Sequence, residues 1–155
     1  MPELTIQPDD PASPPVRQLI AQLDRYLAGL YPADSNHLLS IAGLRQLNVT
    51  FLTARLSDQL VGCGALVNHR GEYGELKRIF VLPACRGRKI GRLLLAELES
   101  RARVVALPLV RLETGIHQPK ALRLFERSGY SRRDPFGDYA PDPLSVFMEK
   151  RLHPE

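Results

Sequence analysis

The chain has 155 residues, 44% of them hydrophobic and 25% charged, with a formal charge of +4. That composition fits one soluble domain over residues 1–155, large enough to bury its own core. Two cysteines, Cys63 and Cys85, exclude a disulfide framework and point to reduced thiols in a cytoplasm, while no apolar run approaches the ~18 residues of a membrane span. The opening MPELTIQPDD is acidic and broken by proline, unlike a signal peptide.

Leu4 to Gln7 reads as a short strand. The cluster PDDPASPP then forces a turn, and Pro15 suits the first turn of a helix. Val16, Leu19, Ile20, Leu23, Leu27 and Leu30 repeat at helical spacing. Ser35 is placed to cap a second helix with the stripe Leu38, Leu39, Ile41, Ala42 and Leu44. Val49 to Leu56 and Leu60 to Val67 predict a hairpin, and Gly62 and Gly64 within it predict a bulge or a close backbone approach. Gly74 to Leu82 is a longer strand stopped by Pro83. Leu93, Leu94, Leu95, Leu98 and Ala102 predict a helix from about Arg88 to Val105. Leu107 to Thr114 reads as a buried strand, Pro119 begins a helix that Gly129 ends, and Ser145 to Leu152 is the last strand. The expected order is β-αα-βββ-α-β-α-ββ, an α+β (mixed α/β) domain with a mostly antiparallel sheet and some parallel pairing.

One segment carries chemistry. Arg86, Arg88, Lys89 and Arg92 crowd a glycine-containing loop between a strand and a helix. Free N–H groups and the dipole at a helix start favour an anion there. The loop is neither a Walker loop nor a dinucleotide fingerprint, because the required lysine-serine/threonine ending and G-x-G-x-x-G spacing are absent. Glutamates 97 and 99 interrupt the positive charge along the helix and aromatics are few, which speaks against nucleic acid. His37, His69, His117 and His153 show no metal-ligand spacing, so no metal is expected.

Val81-Leu82-Pro83 followed by Arg86 to Gly91 resembles the V-x-P and R/Q-x-x-G-x-G/A signature of the GNAT acetyltransferase superfamily. Lys89 stands where the signature has its middle glycine, and helical backbone is expected there. Gln118 to Tyr130 resembles the superfamily's N-x-x-A-x-x-L-Y-x-x-x-G-F helix, with Phe125 in the tyrosine position. LETG (Leu112 to Gly115) and the tail around Asp138 and Tyr139 resemble a bacterial subgroup of uncertain substrates.

The resemblance implies a GNAT-like fold, a twisted sheet of six or seven strands with about four helices. It implies an N-acetyltransferase that takes acetyl-CoA as cosubstrate and a primary amine of a small molecule or protein as acceptor. The backbone of Ile79, Phe80 and Val81 would bond the pantetheine arm. Arg86, Gly87, Arg88, Lys89, Ile90, Gly91 and Arg92 would hold the pyrophosphate, with Gln118 and Phe125 against the arm. Glu75 is the nominated base, placed by alternation on one strand face with Lys77, Ile79 and Val81. A phenyl ring donates no proton, so either the thiolate leaves without an acid or another group serves, with Tyr130 and Tyr139 the candidates and Tyr139 the one nominated; a CoA-binding domain without transfer chemistry is the alternative. Tyr31 and His37 are the candidate acceptor-binding residues. Dimers are common in the superfamily, which makes a homodimer one of its implications.

Overall fold

The apolar stripe that starts at Val16 forms helix α1 (Pro14–Ala28). Two prolines occupy its first turn, where a missing N–H breaks no helical bond. Val16, Leu19, Ile20, Leu23 and Leu27 are its buried face, and each such side chain contributes about 2 kcal/mol on burial. The structure, a computed structural model, describes residues 3–153; residues 1, 2, 154 and 155 of the expected 1–155 domain lie outside the described ones.

The strands are β1 (Leu4–Pro8), β2 (Val49–Leu56), β3 (Gln59–His69), β4 (Tyr73–Val81), β5 (Leu109–Gly115), β6 (Ser131–Arg133) and β7 (Ser145–Arg151). They make one sheet in the order β1-β2-β3-β4-β5-β7-β6. Neighbours are antiparallel except β4 and β5, which run parallel. Helices α2 (Ile41–Leu44), α3 (Ile90–Val104) and α4 (Pro119–Arg127) complete the element order that the sequence predicts. Helix α1 packs over Phe51, Cys63, Ala65 and Phe80 on one face. Helix α3 covers Leu52, Leu76, Val110 and Met148 on the other, where α4 contributes Phe125.

The second helix departs from expectation. Residues 36–40 are not helical, and Ser40 rather than Ser35 is the cap, its hydroxyl accepting from the Gly43 N–H at 3.0 Å. Ser35 ends a 3₁₀ turn (Ala33–Ser35) and donates to Asp142 at 2.8 Å. The cause lies in β4. Lys77 Nζ donates to the His37 carbonyl at 2.9 Å, and Arg78 Nε donates to the Leu39 carbonyl at 3.0 Å. Those carbonyls are satisfied by side chains, so the segment needs no helix to satisfy them.

Strand β4 is also irregular. Cys63 pairs with Phe80 but Ala65 pairs with Lys77, so Gly64 alone opposes both Arg78 and Ile79. This is a β-bulge, with Arg78 in left-handed backbone at φ 59°. Gly64 makes room for it, since a Cβ there would lie 2.7 Å from Ile79 Cδ1. The bulge corrects the expected alternation. Ile79 and Val81 pack on the α3 side, whereas Lys77 reaches His37 and Phe80 joins the α1 cluster. A strict period of two cannot register an inserted residue.

The bulge also opens the sheet. Pairing of β4 with β5 covers only Gly74 to Leu76 against Val110 to Leu112. Beyond that point β5 continues to Gly115 paired with β7, and β4 continues paired with β3. Two strand edges are left facing each other across a wedge.

Candidate active site

The wedge is a cleft of about 110 Å³. Leu76 to Ile79 form its β4 wall and Leu112 to Gly115 its β5 wall. Gln118 and Phe125 line it from the start and body of α4, and Tyr31 and His37 from the chain after α1. Five sequence-nominated residues, Tyr31, His37, Ile79, Gln118 and Phe125, therefore converge from three parts of the chain. Phe80 and Val81 continue the same strand past the lining.

Tyr31 is buried, and its hydroxyl donates to Gln118 Oε1 at 3.3 Å while accepting from the His117 N–H at 3.0 Å. Its ring occupies the space a side chain at Gly115 would need; a Cβ there would lie 1.7 Å from the Tyr31 oxygen. Tyr31 thus fixes the turn from β5 into α4 and orients the Gln118 amide. Phe125 is 5% exposed and meets Tyr130 edge-on at 5.9 Å.

Beyond β4, a 3₁₀ turn (Pro83–Cys85) leads through Arg86 to Lys89 into α3. The N–H groups of Ile90, Gly91 and Arg92 have no intrahelical acceptor, and no side chain caps them. Arg86, Arg88, Lys89 and Arg92 are exposed, and no described carboxylate forms an ion pair with any of them. Arg86 lies over the Tyr26 ring of α1 at 5.8 Å. Free N–H groups, the helix dipole and four unpaired cations suit a pyrophosphate. Ile90 is 2% exposed and anchors the loop in the core. At Gly91 a Cβ would sit 3.2 Å from Leu124 of α4.

The helical backbone expected at Lys89 does not form; the residue is left-handed at φ 63°. The chain must reverse there to start α3, which is why the superfamily signature has glycine. Left-handed backbone costs a side chain about 1–2 kcal/mol, whereas glycine loses about 0.5–1 kcal/mol in entropy. Lys89→Gly is therefore expected to stabilise the protein by about 0.5–1 kcal/mol in urea denaturation. A lower midpoint would contradict the strain.

A polar cluster adjoins the cleft. Glu75 is 5% exposed. His69 Nε2 lies 2.9 Å from its Oε1, and the Tyr139 hydroxyl donates to its Oε2 at 2.6 Å. Lys77 Nζ lies 3.4 Å from the same Oε2 and donates to the Tyr139 oxygen. Burial, then the Glu75 charge, raise the Tyr139 pKa far above the usual phenol value, so it stays a hydrogen-bond donor. Lys77 and His37 line the cleft, and they connect it to Glu75 and Tyr139, which do not. The His37 Nε2 is buried with no hydrogen-bond partner, 3.9 Å from Asp142.

Sequence reasoning passed over Glu113. It lines the cleft from β5, one residue past Leu112, the last to pair with β4. Ser145 Oγ donates to its Oε2 at 2.8 Å. Burial pushes its carboxyl up to about 7, against the opposing pull of Ser145 and Lys77. The available signal was a carboxylate near the end of a strand that reads as buried. Among the described residues no group of three or more His, Cys, Asp or Glu could hold a metal, and no helix is long and apolar enough to cross a membrane.

The pattern of the Acetyltransferase (GNAT) family matches residues 16–130. An IAA acetyltransferase of Azospirillum brasilense is 50% identical over 153 residues, covering 98% of this chain and 100% of that protein. A solved structure from Klebsiella pneumoniae, provisionally assigned as an acyl-CoA N-acyltransferase, matches with a TM-score of 0.84 at 40% identity, over 97% of this chain and 98% of that one. The PaiA N-acetyltransferase of Thermoplasma acidophilum, solved with coenzyme A, shares the fold at a TM-score of 0.74 and 19% identity, over 97% of this chain and 99% of that one. The chain thus belongs to the GNAT acetyltransferase family and is an acyltransferase with acetyl-CoA as its cosubstrate.

Proposed function

We propose that the protein transfers the acetyl group of acetyl-CoA directly to a primary amine of a small molecule or protein, in the cleft between β4 and β5. The observation that carries this is the adjacency of two features, with Gly91 of α3 beside Leu124 of the cleft wall. The parted strands stand beside the uncapped, cationic start of α3. In this reading Arg86, Gly87, Arg88, Lys89, Ile90, Gly91 and Arg92 hold the pyrophosphate, mainly through backbone N–H groups. The backbone of Ile79, Phe80 and Val81 bonds the pantetheine arm on one side, with the Gln118 amide and the Phe125 ring on the other.

The acceptor enters beside Tyr31 and His37. A polar acceptor gives the orphaned His37 Nε2 the partner it lacks. Only a neutral amine attacks a thioester, so a base is required. Two carboxylates are near enough to serve, Glu75 and Glu113. Tyr139 acts through Lys77 and Glu75, which share its hydroxyl. A homodimer is compatible with this cleft, which one chain forms alone.

The test is mass spectrometry of products from acetyl-CoA and a panel of alkylamines, amino acids, aminoglycosides and a lysine peptide. IAA is added because it appears in the Azospirillum relative's name. An enzyme-dependent N-acetyl product from at least one amine is the expected result. Binding of acetyl-CoA with no N-acetyl product from any amine would contradict the reading.

A further inference from the structure

We propose that Glu113, rather than Glu75, takes the proton from the incoming ammonium group; the inference rests on the amine-acetylation reading. Position is the first reason. Glu113 stands where the strands part, on the wall of the cleft, whereas Glu75 lies behind Lys77 and lines none of it. Availability is the second. Both Glu75 oxygens are engaged, by His69 and by Tyr139 with Lys77. Glu113 has one oxygen fixed by Ser145, and no described residue hydrogen-bonds the other. One anchored and one free oxygen is the arrangement a base requires, since the anchor sets the direction of the free lone pairs.

The surrounding charges agree. Lys77 faces Glu113 from β4 and attracts its charged form, while Asp142 and Glu75 repel it. The Tyr31 and Tyr139 phenols also sense its charge, and His37 completes the ring of groups around the cleft. With burial these leave a carboxyl that titrates at about 7, near working pH, where a base is ionised often enough and still strong. In the step itself an N–H bond of the ammonium breaks and its proton passes to the Glu113 carboxylate. The freed nitrogen pair forms the bond to the acetyl carbonyl carbon. The C–S bond breaks and its electrons leave with the CoA thiolate. The nitrogen's second proton balances that thiolate, and Glu113 returns its proton to water.

Two measurements decide the matter. In protein labelled at the glutamate side-chain carboxyls and saturated with CoA, the carbon spectrum is followed from about pH 4 to 9. The resonance missing from Glu113→Gln identifies residue 113; a midpoint between about 6 and 8 supports the proposal, and one below about 5 overturns it. With the best amine of the panel, Glu113→Gln should lose on the order of 10²–10³-fold in kcat while the KM for acetyl-CoA stays within about twofold. The limb of its pH profile near 7 should vanish. Ser145→Ala should keep that limb but displace it upward, because its hydroxyl favours the carboxylate. An active wild type matched by Glu113→Gln in rate and profile sinks this step alone. A wild type that yields no N-acetyl product sinks the amine reading and this step with it.

Discussion

Glu113→Gln is expected to be more stable than the wild type at pH 8, by on the order of 2–3 kcal/mol, and no more stable near pH 4. The wild-type carboxyl titrates at about 7 when folded, against 4.5 as its ordinary value. Between those values the folded state holds a proton that the unfolded chain has released. Stability contributed by the neutral carboxyl is therefore complete below about pH 4.5 and is lost as pH rises through 7. At ~1.4 kcal/mol per pH unit the window is worth about 3 kcal/mol, trimmed because the cleft admits water. Glutamine stays neutral throughout and still accepts from Ser145. Every other titrating group is common to both proteins, so the difference in urea-derived stability between pH 5 and 8 isolates residue 113. An equal loss across that window in both proteins would contradict the burial assigned to Glu113. A gain in stability joined to a loss of turnover is the trade expected of a strained functional group.

Gly115→Ala is expected to cost about 3 kcal/mol and to weaken acetyl-CoA binding about tenfold. The new Cβ would fall 1.7 Å from the Tyr31 oxygen and 2.1 Å from Cζ, a backbone-anchored clash no rotamer of alanine can avoid. The ring must leave, which breaks the bonds to His117 N–H and Gln118 at about 1 kcal/mol each, and repacking adds about 1–3 kcal/mol. Binding suffers because Gln118 loses the hydroxyl that orients its amide. Tyr31→Ala removes the obstacle, so the two substitutions together should cost less than their sum by about 1–2 kcal/mol. Strict additivity in that double-mutant cycle would show that the contact is not the reason for glycine at 115.

The parts of the fold that were legible in the sequence are those set by local periodicity. The stripes of α1 and α3, the β2–β3 hairpin and the proline start of α4 all form where the pattern places them. The second helix was not legible, because Ser35 and Ser40 are equally good caps in isolation. Lys77 and Arg78, about 40 residues away, decide between them by claiming the His37 and Leu39 carbonyls. The bulge at Arg78 was hidden for a related reason. Gly64 signalled a close approach but not which strand would hold the extra residue. That one residue moves Ile79 and Val81 to the opposite face from Lys77 and parts β4 from β5. Access to the cleft depends on where the strands part, so motif position points to Glu75, while a place on the cleft wall with one oxygen free points to Glu113. The basic loop before α3 was legible as a motif, yet its left-handed Lys89 was not, since backbone handedness at a non-glycine residue is set by the reversal into α3.

Titration of the amide spectrum with acetyl-CoA bears most directly on the site. The largest shifts are expected on Ile79, Phe80 and Val81 of β4, on Ile90, Gly91 and Arg92 at the start of α3, and on Gln118. No shifts at near-millimolar ligand, or shifts confined to a separate hollow lined by Asp10, Arg45 and Thr50, would contradict it.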